Sequence, residues 1–216
     1  PVINKIHQFK TSKRSTGIKC IVMVPTRELA QQIGSVFTKL SRHTKVVTYT
    51  LHGGVEQDTQ IKKLQDGIDI LIATPGRMFD LINQKAIRLE KVSTLILDEA
   101  DHMLDLGFVD DITYVKKMLT FKHQTLFFSA TINAEIKKLA FSQVKTSAIR
   151  IQVSPDDPVS RNVTHYVMFV EMDDKRFYLE KFIKDHPDSR IIVFVRTKVR
   201  AERVAKAMER VSITAH

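Results

Sequence analysis

The sequence predicts an α/β protein, a mostly parallel sheet with helices on both faces, followed by the start of a second unit of the same kind. Three observations carry this expectation. Short β-branched runs recur along the 216 residues. Several of them are apolar on successive positions instead of alternating, as strands buried on both faces are. Amphipathic helical stretches separate them, and alternating strand and helix is the signature of a parallel sheet.

The elements follow in order. The chain opens on PVINKIHQFK, helical in composition and without an initiator methionine, which reads as a piece of a longer protein. Strands are expected at IKCIVMV (18–24), KVVTYTL (45–51), DILIAT (69–74), TLILD (94–98), TLFFS (125–129), AIRIQV (148–153), VTHYVMFV (163–170) and RIIVFV (190–195). After the first strand, Leu29, Ile33, Val36, Phe37 and Leu40 share one face of a helix. Ala201, Val204, Ala205 and Met208 do the same near the end. SPDDPVSRN (154–162) has two prolines and no period, and reads as a linker. It divides a first domain, 1–153, incomplete at its amino end, from residues 163–216, too few for a complete α/β domain and read as truncated.

Composition narrows the function. A chain with 43% hydrophobic and 27% charged residues is ordinary for a soluble globular protein. No apolar run approaches the roughly 20 residues of a membrane helix, and no signal peptide opens the chain. The single cysteine, Cys20, lies in an apolar run and reads as a core residue. One cysteine excludes an internal disulfide and a thiolate cluster, and fits a cytoplasmic protein. The balance of 34 Lys+Arg against 24 Asp+Glu, a net charge of +10, favours polyanionic partners, nucleic acid above all. None of the seven glycines is followed by lysine, so the G-x-x-x-x-G-K-[ST] phosphate loop is absent from these residues. GxGxxG, a Ser/His/Asp pattern and paired histidines at metal spacing are absent too.

Five strand ends carry the candidate chemistry, because ligands of parallel sheets sit at the carboxyl ends of strands. TLIL runs directly into Asp98, Glu99 and Asp101. Such crowding of like charge needs solvent or a cation. A strand-end Asp followed by Glu suits metal-assisted phosphoryl chemistry, the Asp holding Mg²⁺ through water and the Glu activating an attacking water. A solvated acidic turn or a helix cap is the plainer reading of the same letters. VMVPTRELAQQI (22–33) and LIATPGRMFDLI (71–82) repeat one pattern: strand, Pro and Thr, Arg, helix. Each presents free backbone N–H groups, a hydroxyl and an arginine, which is equipment for a phosphate backbone. Gly53 and Gly54 end TLHGG and suit either close approach of a backbone or a tight turn. TLFFSAT places Ser129 and Thr131 where they can meet the Asp101 carboxylate, with Asn133 available as a cap.

Together, PTRELAQQI, GG, TPGR, DEAD and SAT, in this order and at this spacing, resemble the central motifs of the DEAD-box ATP-dependent RNA helicases of superfamily 2. IIVFVRTK (191–198) resembles the first strand motif of that family's second RecA-like domain, and the phrasing is most similar to the bacterial RhlE-type branch. The resemblance implies a RecA-like parallel sheet followed by the start of a second RecA-like domain, with ATP and Mg²⁺ as cofactors and RNA as partner. It implies Asp98 as the Mg²⁺-associated carboxylate and Glu99 as the water-activating base. Asp101, Ser129 and Thr131 would couple nucleotide state to domain closure. Pro25, Thr26, Arg27, Gly53, Gly54, Thr74, Pro75, Gly76 and Arg77 would line the RNA backbone path, and Phe194, Thr197 and Arg200 its other half. The family's adenine-reading segment and phosphate loop would precede Pro1, and its arginine finger would follow His216. The expectation is therefore that the parent protein hydrolyses ATP and unwinds short duplexes, while the 216 residues alone do not turn over usefully. Two readings compete: a non-catalytic RNA-binding module that has lost its nucleotide loop, and a related DNA-unwinding motor. The RNA target, the pathway and any ribosome-assembly or RNA-decay partners are not written in these motifs.

Overall fold

The computed structural model describes residues 1–12, 14–153 and 163–215. In chain order, its elements are α1 (Val2–Gln8), β1 (Cys20–Met23), α2 (Arg27–Ser41), β2 (Thr48–Leu51), α3 (Gln57–Gln65), β3 (Ile70–Ala73), α4 (Pro75–Asn83) and β4 (Thr94–Leu97). They continue with α5 (Ala100–Asp105), α6 (Val109–Met118), β5 (Gln124–Phe127), α7 (Ala134–Gln143), α8 (Lys175–Asp185) and α9 (Lys198–Glu209). The chain divides into two units, Pro1–Arg150 and Ile151–His216.

The first unit is built on one parallel sheet of order β2-β3-β1-β4-β5. Every strand of this sheet is four residues long, and their ends are in step. Cys20 lies beside Ile70 and Thr94, and Met23 beside Ala73 and Leu97. The ladder continues one residue past each strand. Val24 N–H donates to the Ala73 carbonyl (3.0 Å), Thr74 N–H to Leu51 (3.2 Å), Asp98 N–H to Met23 (3.0 Å) and Phe128 N–H to Leu97 (2.8 Å). The residues that leave β1, β3, β4 and β5 are thus fixed to a neighbouring strand before the chain turns away.

Successive apolar residues in β1 explain themselves by facing opposite ways. Ile21 and Met23 join Leu71, Leu95, Leu97, Met78 of α4 and Met103 of α5 in one core. Cys20 and Val22 join Ile70, Ile72, Ile96 and Ala30 of α2 in the other. Burial pushes the Cys20 thiol up to about 12, so it is an inert apolar filler, as its sequence context implies.

The predicted helical face of α2 is only partly covered. Ala30 and Gly34 are buried, while Val36 and Leu40 are 53% and 67% exposed. A Cβ on Gly34 would lie 2.0 Å from the Thr50 hydroxyl, so glycine lets α2 come down onto β2. The remaining apolar side of the helix, with Val22, Ile96 and Phe128, lines an open groove of about 500 Å³ that ends at Asp98.

Three expected strands are corrected: 148–153, 163–170 and 190–195 carry no strand among the described residues. Their composition favours strand, but a strand exists only where a neighbour completes its hydrogen-bond ladder. In these segments Ile149 and Phe194 are 88% and 91% exposed. The second unit's described regular structure consists of α8 and α9, which touch each other, with Met208 buried. The predicted linker, 154–162, lies outside the described residues. Among the described residues, no helix is long and apolar enough to cross a membrane.

Candidate functional site

The carboxyl edge of the sheet collects the predicted residues of the first unit. Asp98 leaves β4 half-buried, and its Oδ1 accepts the Glu99 amide at 3.0 Å. Burial raises the Asp98 pKa; the Glu99 amide opposes that, and the charges of Glu99 and Asp101 add to it. Glu99 adopts φ 49° and ψ 50°, left-handed geometry uncommon for a side-chain-bearing residue. It stands at the start of α5 with its side chain exposed, 3.4 Å from His102 Nδ1.

Asp101, in the first turn of α5, faces the loop after β5. Its Oδ2 accepts the amide of Thr131 at 2.9 Å and the hydroxyl of Thr131 at 3.0 Å, while Oδ1 accepts the His102 amide at 3.1 Å. Partial burial would raise the Asp101 pKa, but these bonds outweigh it and hold the carboxyl below its usual value. The Ser129 hydroxyl adds least, because its better-placed acceptor is the Thr131 carbonyl at 2.8 Å. Ala100 N–H donates to the Phe128 carbonyl at 3.0 Å, a second tie between the same two segments. Asn133 caps α7 by accepting the Ile136 amide at 2.8 Å.

The three remaining loops form a second cluster on the same edge. Pro25 is buried, and Thr26 caps α2, accepting the Leu29 amide at 3.2 Å. Thr74 occupies the cap position of α4 without a side-chain capping bond, and Pro75 fills the first helical turn. Gly54 has φ +80°, and a Cβ there would come within 2.4 Å of an Arg27 guanidinium nitrogen. Arg27 therefore lies flat over the glycine turn. Nothing stands within 4 Å of a Cβ on Gly53 or Gly76, so both are open to a ligand's approach.

Sequence reasoning missed the residues that join these loops. Arg77 Nη1 donates to Gln60 Oε1 at 3.2 Å, and Gln60 Nε2 donates to the His52 carbonyl at 3.0 Å. His52 Nδ1–H donates to the Gly53 carbonyl at 2.9 Å, which leaves Nε2 to accept the Gln31 amide at 3.3 Å. Gln60 is 1% exposed and sits one helical turn before buried Leu64. A glutamine on the apolar face of a helix is the signal that was available, because a buried amide needs partners.

In the second unit, Thr197 caps α9 by accepting the Arg200 amide at 3.2 Å, and Phe194 and Arg200 are exposed. No group of three or more His, Cys, Asp or Glu side chains assembles a metal cage among the described residues.

A five-stranded parallel sheet with helices around it, with an acidic strand end beside three Thr- or Gly-bearing loops on one edge, is a RecA-like fold. The chain belongs to the DEAD/DEAH box helicase family, whose profile matches residues 1–139. It is 34% identical over 193 residues to the ATP-dependent RNA helicase RhlB of Shewanella amazonensis, a match covering 88% of this chain and 44% of that protein. It is 34% identical over 208 residues to the DEAD-box ATP-dependent RNA helicase CshA of Bacillus subtilis, covering 96% of this chain and 41% of that protein. The crystal structure of the yeast DEAD-box splicing factor Prp28 is similar with a TM-score of 0.63 and 27% identity, over 96% of this chain and 49% of that one. The chain thus spans less than half the length of these relatives. The comparisons place it in the family without assigning it to the RhlE-type branch.

Proposed function

We propose that this chain is the motif-bearing core of an ATP-dependent RNA helicase that remodels short RNA duplexes. In the whole protein, residues 1–153 act as the first domain, 154–162 as a linker and 163–216 as the start of the second. The observation that carries the reading is convergence: the acidic end of β4 and the loops after β1, β2 and β3 share one edge of one sheet.

The residues fit Mg²⁺. A half-buried carboxyl raised by burial and crowded by two further acids favours a cation beside it. A carboxylate is the oxygen ligand that a hard cation such as Mg²⁺ takes. Asp98 would hold it through water, and when bound the ion would offset charge on the transferring phosphoryl group. Glu99 orients the attacking water and takes its proton. Asp101 and Thr131 transmit the state of this site to the loop after β5. Pro25, Thr26, Arg27, Gly53, Gly54, Thr74, Pro75, Gly76 and Arg77 hold the phosphate backbone of one RNA strand through contacts blind to sequence. Phe194, Thr197 and Arg200 serve the other half of the path.

Glu99→Gln in the whole parent protein tests the reading. The variant is expected to bind ATP and RNA together without turnover. Unchanged RNA-stimulated hydrolysis removes Glu99 from the role of base. Stimulation by DNA equal to that by RNA favours the DNA motor, and absence of ATP binding by the parent favours a binding module.

A further inference from the structure

The opposite edge of the sheet carries a second cleft, of about 210 Å³. It is lined by Lys5 of α1, by Lys10 and Arg14 of the segment that follows, and by Lys19, Asp69 and Ser93, which lead into β1, β3 and β4. Strands of four residues, roughly 13 Å long, separate it from the motif-bearing edge. A small ligand here touches neither Asp98 nor the loops around Arg27 and Arg77.

Its charge is unbalanced. Asp69 is the single carboxylate of the lining, 2% exposed. It is already engaged, ion-paired with Lys10 and accepting the Val47 amide at 2.8 Å. Among the described residues, Lys5, Arg14 and Lys19 form no ion pair. Lys91, whose side chain would lie 3.5 Å from a Cβ placed on Gly17, adds to the same field. The pKa of Lys19 is lowered, first by burial, then by Lys91, with Asp69 opposing and Lys10 adding a little. Cations held together in a concavity are relieved by an anion, and Ser12 and Thr16 place hydroxyl donors in the same lining. The space suits a phosphate with part of its sugar, well below the ~300–1,000 Å³ that encloses a drug-sized ligand.

We propose that the cleft formed by Lys5, Arg14 and Lys19 at the amino edge of the sheet is a phosphate site, separate from the motif-lined path. The phosphate comes from an RNA backbone passing this edge or from a small phosphorylated molecule; the chemistry of capture is the same.

The test uses the 216-residue chain with amide resonances assigned. Inorganic phosphate and, separately, a short single-stranded RNA are titrated while the amides of Thr16, Lys19 and Ser93 are followed. Saturable shifts with both probes support an RNA contact, and shifts with phosphate alone support a small phosphorylated ligand. Shifts with neither overturn the proposal. Arg14→Gln combined with Lys19→Met is expected to weaken phosphate binding by roughly tenfold or more. If RNA is the source, the combined variant also lowers the salt dependence of RNA binding by roughly 0.7 in the log–log slope, the value for one phosphate contact. Should that variant fail to fold, Thr16→Glu sets a negative charge on the exposed rim and is expected to abolish the shifts. Binding unchanged in either folded variant overturns the proposal. The cleft and the helicase reading fail separately, because phosphate can shift these amides in a chain that never engages RNA at the other edge.

Discussion

The Asp101 carboxylate receives both the amide and the hydroxyl of Thr131, so that one acid of the DEAD sequence grips the SAT loop by two bonds. The grip joins the start of α5, which follows β4, to the loop after β5, and β4 and β5 are neighbours in the sheet. Thr131→Val keeps the amide bond and loses the hydroxyl. The Asp101 pKa is lowered by folding, so its contribution is present above the ordinary aspartate pKa and is lost as pH falls through the folded value. Thr131→Val is therefore expected to destabilise by about 0.5–1.5 kcal/mol near pH 7. Urea midpoints near pH 7 and near pH 3 check this, with a smaller difference expected in acid.

Asp98 has the opposite sign. Its pKa is raised by folding, so the ionised carboxylate works against the fold at neutral pH; the penalty fades as pH falls through the raised folded value and is gone below the ordinary aspartate value. Asp98→Asn keeps an oxygen for the Glu99 amide and removes the charge. Thermal melts should show a higher midpoint than the parent near pH 7 and no gain near pH 3. A lower midpoint at neutral pH would contradict the burial and crowding argument.

Gly53 and Gly54 separate two uses of glycine. Gly54→Ala places a methyl 2.4 Å from Arg27 on a backbone of φ +80°, and is expected to cost about 1–2 kcal/mol. Gly53→Ala meets open space and should leave the midpoint nearly unchanged. RNA titration of the Gly53 variant then asks whether the backbone approaches there; weaker binding at unchanged stability is the expected result.

Gln60→Leu keeps size and removes both bonds of the bridge between Arg77 and His52. The buried His52 carbonyl loses its donor, at a cost of about 1–3 kcal/mol. Being 1% exposed, Gln60 is shielded from a ligand, so a loss of RNA affinity in this variant reports the positioning of Arg77. RNA titrations of Gln60→Leu and Arg77→Gln should show losses of similar size.

The sheet of the first unit was legible because burial on both faces leaves an apolar run, and those runs end where the chemistry sits. β1, β3 and β4 lie inside the expected segments, with Thr26 and Asn133 capping the helices they precede. The Asp101–Thr131 contact was legible as an option, since the two residue types suit each other at neighbouring strand ends. Strand order, by contrast, is a long-range property, and nothing local places β1 between β3 and β4. The same reason defeats the expected strands near Ile149, Phe169 and Phe194: residue preference is local, whereas pairing needs a partner from elsewhere. The side chains of Val36 and Leu40 mislead likewise, because an apolar face states what can be buried, not what covers it.

Glu99 bends the backbone into a shape that glycine or asparagine adopts with less effort, at roughly 1–2 kcal/mol for an ordinary side chain. Heat resistance and the carboxylate thus pull against each other at one position. A lineage drifting under demand for durability alone would give up the acid there first. An engineer screening for a sturdier chain should accordingly expect replacements of Glu99 among the early winners.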